Sequence, residues 1–299
     1  MFRPAWLAPR HWPLWLAWGL LIAVAWLPRG ARRTIADAVA WLWLRLPDRR
    51  RQIARINLEL CFPEWPEARR HAAMTESLRV ATHVFLHYGA MAGHRLRTLG
   101  ADAQFDGLDR LHALQAAGRN IILLTPHWTC FELVAQVLSP YQALASIVRL
   151  HDSDNPLDWL ITRARTRYGA RIFDHRGSML APLRAVKDGA WLLYLPDEDA
   201  GDGPHAFAPF FGRDKATTTA LAKMVRATQA VVVPTSLRFD PDTGRFSACF
   251  HPPLEGSLDA GSMNAVLEEL IRGDIHQYAW FTKLFRTTQP PARNPYKNG

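Results

Sequence analysis

The stretch Asn120-Ile121-Ile122-Leu123-Leu124-Thr125-Pro126-His127-Trp128-Thr129-Cys130-Phe131-Glu132 decides how this chain is read. It opens as a short, unbroken apolar run, the pattern of a strand buried on both faces. A helical pattern takes over near residue 131. A strand that feeds a helix through a short loop is the unit of an α/β layer fold. His127 then lies in the loop at the carboxyl end of the strand, where α/β sheets place their ligands.

Four residues separate His127 from Glu132. On one helix the two would point about 140° apart, so they can meet only with His127 in the loop and Glu132 on the helix. In that arrangement a carboxylate can hold one imidazole nitrogen and support the cation formed when the other takes a proton. On spacing alone, a histidine with an unrelated glutamate is the commoner arrangement. Zinc is disfavoured, because neither HExxH nor a nearby third ligand is present. Cys130, between the pair, suits packing as a small apolar group better than nucleophilic work.

The same texture continues downstream. Ala143 to Val148, Ala190 to Leu195 and Ala230 to Pro234 read as strands. Helical stretches lie near 131–138, 156–168, 177–187 and 216–227, and Phe246 to Phe250 adds an antiparallel strand. Residues 261–285 read as helical. The expected fold is α/β, with a mixed, mostly parallel sheet flanked by helices. Upstream, residues 30–98 contain no convincing strand and read as three helices, the first amphipathic with Trp41 and Trp43 near a membrane. The expected organisation is an N-terminal anchor (1–29), a helical subdomain (30–100) and an α/β catalytic domain (101–299).

Trp12 to Leu27 carries no charge and is flanked by Arg3, Arg10, Arg29, Arg32 and Arg33. As a helix its sixteen residues rise about 24 Å, slightly short of the roughly 30 Å hydrocarbon core. It reads as an anchor that spans or nearly spans a membrane. A shallow interfacial helix and a cleaved signal peptide are the other readings.

Composition sets outer limits. With 299 residues and 48% hydrophobic content, a disordered chain is excluded. Three scattered cysteines without a Cys-x-x-Cys pair argue against a disulfide scaffold and against structural zinc. The formal charge of +9 suits an acidic partner, whether nucleic acid, anionic lipid or an acidic carrier protein, and equally plain solubility. The basic residues lack the interleaved aromatics of a nucleic-acid module.

Three further segments bear on chemistry. Arg149 ends a strand and precedes Asn155-Pro156 and the arginines at 163, 165 and 167, which either attract phosphate or form a solvated basic helix. Leu195-Pro-Asp-Glu-Asp-Ala-Gly201 puts carboxylates at a strand end, for loop capping or, with other ligands, a metal. Phe207-Ala-Pro-Phe-Phe-Gly212 is too apolar for an ordinary loop and should wall a hydrophobic groove or touch a membrane. Ala216-Thr-Thr-Thr-Ala then reads as a helix start with threonine caps.

Taken in order, these segments resemble the late acyltransferases of bacterial lipid A biosynthesis. The resemblance begins at Arg51-Gln-Ile-Ala-Arg-Ile-Asn-Leu-Glu-Leu-Cys-Phe-Pro-Glu64. It runs through His127-x4-Glu132, Arg149 with Asn155-Pro156, Leu195-Pro-Asp-x-Asp-x-Gly201 and Pro209-Phe-Phe-Gly212. It ends at Gln277-Tyr-Ala-Trp-Phe-Thr-Lys-Leu-Phe-Arg286. It implies a glycerolipid-acyltransferase-like fold that moves an acyl group from acyl carrier protein to a phosphorylated lipid acceptor, a lipid A precursor, at the cytoplasmic face of the inner membrane. No metal or cofactor is implied. His127 would be the general base and Glu132 its orienting partner, while Arg149 would bind phosphate or the oxyanion. Asn155, Asp197, Asp199, Phe210, Phe211 and Gly212 would contact substrate, and a groove would measure the acyl chain. Two places depart from the family pattern: Val148-Arg149-Leu150 stands for Tyr-Arg-Pro, and Thr282 for a tail histidine. Other acceptors, such as a glycolipid or an ornithine lipid, and a non-catalytic lipid-binding role are the alternatives.

Overall fold

The computed structural model describes residues 2–92, 102–149, 156–201 and 203–297. Asn155, expected at the substrate, lies outside the described residues. Four helices come first: α1 (Trp12–Trp26), α2 (Arg29–Arg45), α3 (Arg49–Cys61) and α4 (Glu67–His87). Strands and helices then alternate as β1 (Gln104–Asp106), α5 (Leu108–Ala116), β2 (Ile121–Leu124), α6 (Phe131–Leu138), β3 (Leu144–Val148), α7 (Pro156–Thr166), β4 (Arg171–Asp174), α8 (Leu180–Lys187) and β5 (Trp191–Tyr194). A hairpin of β6 (His205–Phe210) and β7 (Arg213–Thr218) precedes α9 (Ala220–Thr228), β8 (Val231–Asp240), β9 (Arg245–Phe250) and α10 (Ala260–Gly273).

Seven strands form one sheet in the order β1-β9-β8-β2-β5-β3-β4. Only the β8–β9 pair is antiparallel; the other neighbours run parallel. The architecture is thus mixed α/β with a mostly parallel sheet and flanking helices. Strands β2 and β5 at its centre are buried at every position, which is why both read as continuous apolar runs. Residues of α3 and α4 share one hydrophobic core with the sheet, through Leu58, Leu78 and Val84, joined by Phe62 just past α3.

The structure corrects three expectations. The threonine-rich stretch finishes strand β7 instead of opening a helix: Thr217 pairs with Ala206 and Thr218 with His205 across the hairpin. β-Branched residues fit that pleated surface better than a helix. Phe210 and Phe211 do not wall an open groove. Both are buried, and Phe211 packs against Phe62 and Trp280. Phe211 (φ 51°) and Gly212 (φ 72°) form the two-residue turn of the hairpin, a left-handed pair that suits the twist of antiparallel strands. Finally, the helix expected over 261–285 ends at Gly273, and a 3₁₀ turn and irregular tail follow.

At the N-terminus, fifteen residues make α1 about 22 Å long, and no helix among the described residues is long and apolar enough to cross a membrane. Trp12, Leu16, Leu20 and Trp26 stand exposed; at about 100° per residue they share one face. The opposite side is docked on the protein. A Cβ on Gly89 would lie 2.0 Å from the Leu21 carbonyl oxygen, so glycine is what permits this approach.

Candidate active site

The centre is built by the register of two parallel strands. Leu124 of β2 lies opposite Tyr194 of β5. Three residues beyond each, on adjoining loops at the same edge of the sheet, stand His127 and Asp197. The Thr125 amide donates to the Tyr194 carbonyl at 3.1 Å, extending the ladder one step past the strand end. His127 Nδ1 then meets Asp197 Oδ1 at 2.7 Å, and the His127 backbone amide donates to Oδ2 at 3.0 Å. The Tyr278 hydroxyl also donates to Oδ2, at 2.8 Å. Asp197 is fully buried and receives three hydrogen bonds, two of them from one residue.

The C-terminal tail clamps the other side of the loop. Trp128 and Tyr278 form an antiparallel bridge. The Ala279 amide donates to the His127 carbonyl at 3.0 Å and the Thr129 amide to Gln277 at 2.8 Å. Gln277 in turn holds the Phe239 amide and carbonyl of β8, each at 2.9 Å. Beneath the acidic loop lies Lys215, wholly buried, donating to the Asp197 carbonyl at 2.8 Å. Burial pushes its ammonium down to about 8, against the pull of Asp197, Asp199 and Glu198.

Ionised Asp197 can only accept, so Nδ1 carries the proton and Nε2 keeps its lone pair. Burial would push the imidazole below its ordinary range. The charge of Asp197 and the hydrogen bond to it outweigh that, and His127 is raised. Asp197 is correspondingly held below the usual carboxylate range despite its burial. The His127 side chain is 22% exposed, and Glu198 Oε1 lies 4.0 Å from Nε2.

Glu132, expected at the imidazole, faces elsewhere. It sits in the first turn of α6 and accepts from Nε and Nη2 of Arg165, from α7, in a two-pronged ion pair. No hydrogen bond or ion pair joins it to His127 among the described residues. Five residues on, the helix has carried its side chain around to α7, while the sheet brings β5 beside the loop. Asp199 is committed to the tail: its oxygens accept from the Thr287 amide and hydroxyl, each at 2.7 Å, and from the Gly201 amide at 2.9 Å. Arg149 is exposed just past β3, at the edge that holds His127. Cys130 is buried and its thiol is pushed up by desolvation, an inert environment for sulfur.

Sequence reading missed Tyr278, Lys215 and Arg165 as site residues. Tyr278 lies in the tail segment that carried the resemblance, which marked the segment but not the hydroxyl. Lys215 had no signal, since a lysine beside an aspartate in a short polar run reads as surface. Arg165 was one of three alternating arginines, and only helix packing singles it out.

A histidine with one nitrogen held by a buried carboxylate at a strand-end loop has the geometry that general-base chemistry requires. Residues 1–287 match the family of bacterial lipid A biosynthesis acyltransferases, and the chain belongs to that family. It is 31% identical, over 292 residues, to a lipid A biosynthesis acyltransferase of Haemophilus influenzae; the match covers 96% of this chain and 91% of the relative. The lipid A biosynthesis myristoyltransferase of Escherichia coli is 29% identical over 297 residues, covering 97% of this chain and 91% of that protein. The lauroyltransferase of the same organism is 30% identical over 294 residues, covering 96% and 95%.

Proposed function

We propose that the protein moves a fatty acyl group from acyl carrier protein to a hydroxyl of a lipid A precursor, with His127 as general base. The observation that carries this reading is an imidazole whose Nδ1 is fixed by buried Asp197 and whose Nε2 makes no hydrogen bond among the described residues. Nε2 takes the proton of the acceptor hydroxyl while its oxygen attacks the thioester carbonyl. The tetrahedral oxyanion collapses, the C–S bond breaks, and the imidazolium returns the proton to the leaving thiolate. Asp197 stabilises the imidazolium between the two transfers. Glu132 supports the centre indirectly by holding Arg165. Arg149, at the same sheet edge, is the residue assigned to acceptor phosphate, and the +9 balance suits both a phosphorylated lipid and an acidic carrier.

The acceptor would arrive from the membrane. The exposed faces of α1 and α2 present Trp12, Leu16, Leu20, Trp41 and Leu42. Arginines border this surface, and the Arg45 guanidinium lies over the Trp41 ring at 3.5 Å. Such a face suits a helix lying in the headgroup region of the inner membrane, on its cytoplasmic side. A cleft of about 410 Å³ is lined by Val39, Trp43 and Phe85 and by Thr129, two residues from His127.

Mass spectrometry of lipid A from a deletion strain tests the reading. Deletion should remove one acyl chain, wild-type protein should restore it, and His127→Ala should not. Lipid A unchanged by the deletion would overturn the acceptor; equal restoration by both proteins would overturn the mechanism.

A further inference from the structure

We propose that Lys215 is a positioning residue for the general base: from beneath the acidic loop its ammonium fixes Asp197 and offsets the carboxylates gathered around His127. The inference rests on the general-base reading above. Lys215 is fully buried in β7, opposite the small Ala208 of β6. A lysine is almost never wholly buried unless it is paired, because the ammonium loses its hydration. Its partners here are the Asp197 carbonyl, 2.8 Å from Nζ, and the Phe210 ring, whose centroid lies 4.7 Å away.

The acidic loop is held twice from the same strand. One residue on from Lys215, the Ala216 carbonyl accepts from the Ala200 amide at 3.0 Å. The hairpin is itself tied to α10 by Asn264, whose Nδ2 donates to the Pro209 carbonyl and the Thr217 hydroxyl, each at 2.9 Å. That hydroxyl donates onward to the Lys215 carbonyl at 3.1 Å. Hydrogen bonds thus run from α10 through β7 to the residue that holds His127 Nδ1.

Holding a carbonyl needs only a neutral donor, so the charge has a use of its own. Asp197, Glu198 and Asp199 follow one another in the loop, and the side chains of Asp197 and Asp199 are buried. The charges of Asp197 and Glu198 raise the His127 imidazole, and that of Lys215 opposes them. Lys215 also helps to hold Asp197 in its ionised form. Two other groups bear on this centre and stay neutral, their protons held by burial: the Cys61 thiol at the end of α3, with Glu268, Arg213 and Arg272 around it, and the Tyr278 hydroxyl. Arg286 reaches Asp199 only at 4.0 Å and is half exposed. The buried ammonium therefore tempers an imidazole that must be neutral to take the acceptor's proton.

The test follows the His127 ring by NMR in the full-length protein, its signal identified by its loss in His127→Gln. In Lys215→Met and Lys215→Gln the ring should titrate about one pH unit higher than in wild type, because a neighbouring positive charge is gone. In Lys215→Arg, which keeps the charge, it should titrate close to wild type. The wild-type ring should also register a second, smaller step at a pH of about 8, as Lys215 itself titrates, and Lys215→Arg should lack it. Acyl transfer from a dodecanoyl thioester of acyl carrier protein to a lipid A precursor should fall about tenfold at a pH of about 6.5 in the two neutral variants and recover as pH rises. A lysine that only braced the loop would lower the rate at every pH and leave the titration in place. An unmoved titration in both neutral variants would overturn the inference. Should neither variant fold, a wild-type ring without the second step would overturn it. A wild type that transfers no acyl group would overturn the function proposed above, while the ring titration would still decide the part played by Lys215.

Discussion

Two ion-paired couples lie on either side of Phe131, and they differ in what they leave free. His127 and Asp197 share one hydrogen bond through Nδ1, and Nε2 makes no hydrogen bond among the described residues, with Glu198 Oε1 4.0 Å away. Glu132 and Arg165 engage both oxygens and two nitrogens, so the charges are spent on each other. The first arrangement keeps a lone pair available to a substrate. The second joins α6 to α7 and resembles a fastening. A carboxylate near a histidine in the sequence is therefore a weaker guide than one that reaches it across a sheet.

Replacing Asp197 tests that contrast most severely. Asp197→Asn should lower kcat/KM by about 10²–10⁴, because the imidazole loses its tautomer and the charge that supports its cation. The pH profile gives a second reading. Neutral His127 is the active base, so wild-type activity should rise with pH through an inflection above the ordinary histidine value of about 6.5. In Asp197→Asn only the weaker pull of Glu198 opposes burial, and that inflection should move to lower pH. Stability follows the same groups with opposite signs. The depressed Asp197 contributes above a pH of about 3.9, a contribution lost as pH falls through its lowered value. The raised His127 contributes below about 6.5, a contribution lost as pH rises through its raised value.

Breaking the other couple should act on folding first. Glu132→Ala leaves the Arg165 guanidinium largely buried and unpaired, at a cost of about 3–5 kcal/mol in chemical denaturation. Its kcat/KM, measured well below the melting temperature, should fall less than that of Asp197→Asn. If Glu132→Gln instead kept full stability and shifted the pH profile as Asp197→Asn does, the two carboxylates would have to exchange roles.

Tyr278→Phe sharpens the comparison on a smaller scale. It removes one donor from Asp197, worth about 1.5–3 kcal/mol for a bond to a charged group. The expected loss of kcat/KM is about tenfold, with a modest upward shift of the inflection, because the carboxylate freed of one donor supports the imidazolium more strongly. An unchanged rate would mean that the tail holds the loop through its backbone alone.

What was legible in the sequence follows from burial. The runs at 121–124, 144–148 and 191–194 are apolar enough to name their strands, and they imply the mostly parallel sheet. Arg171–Asp174 is too short and mixed to stand out, and its place at the sheet edge explains why it needs no apolar run. The hairpin of β6 and β7 was misread because threonine serves both helix starts and strands, and only its partner decides between them.

Local pattern by itself determined that His127 stands at the end of a buried strand and that a helix follows, because burial and helical period are properties of neighbouring residues. Asp197 was visible as a strand-end carboxylate, seventy residues away, with nothing to say what it would touch. Only the tertiary structure paired Leu124 with Tyr194, and that register sets the two loops side by side. The tail did the same for Tyr278, and helix packing turned Glu132 toward Arg165. Partners chosen across a sheet depend on register, and register depends on the whole core.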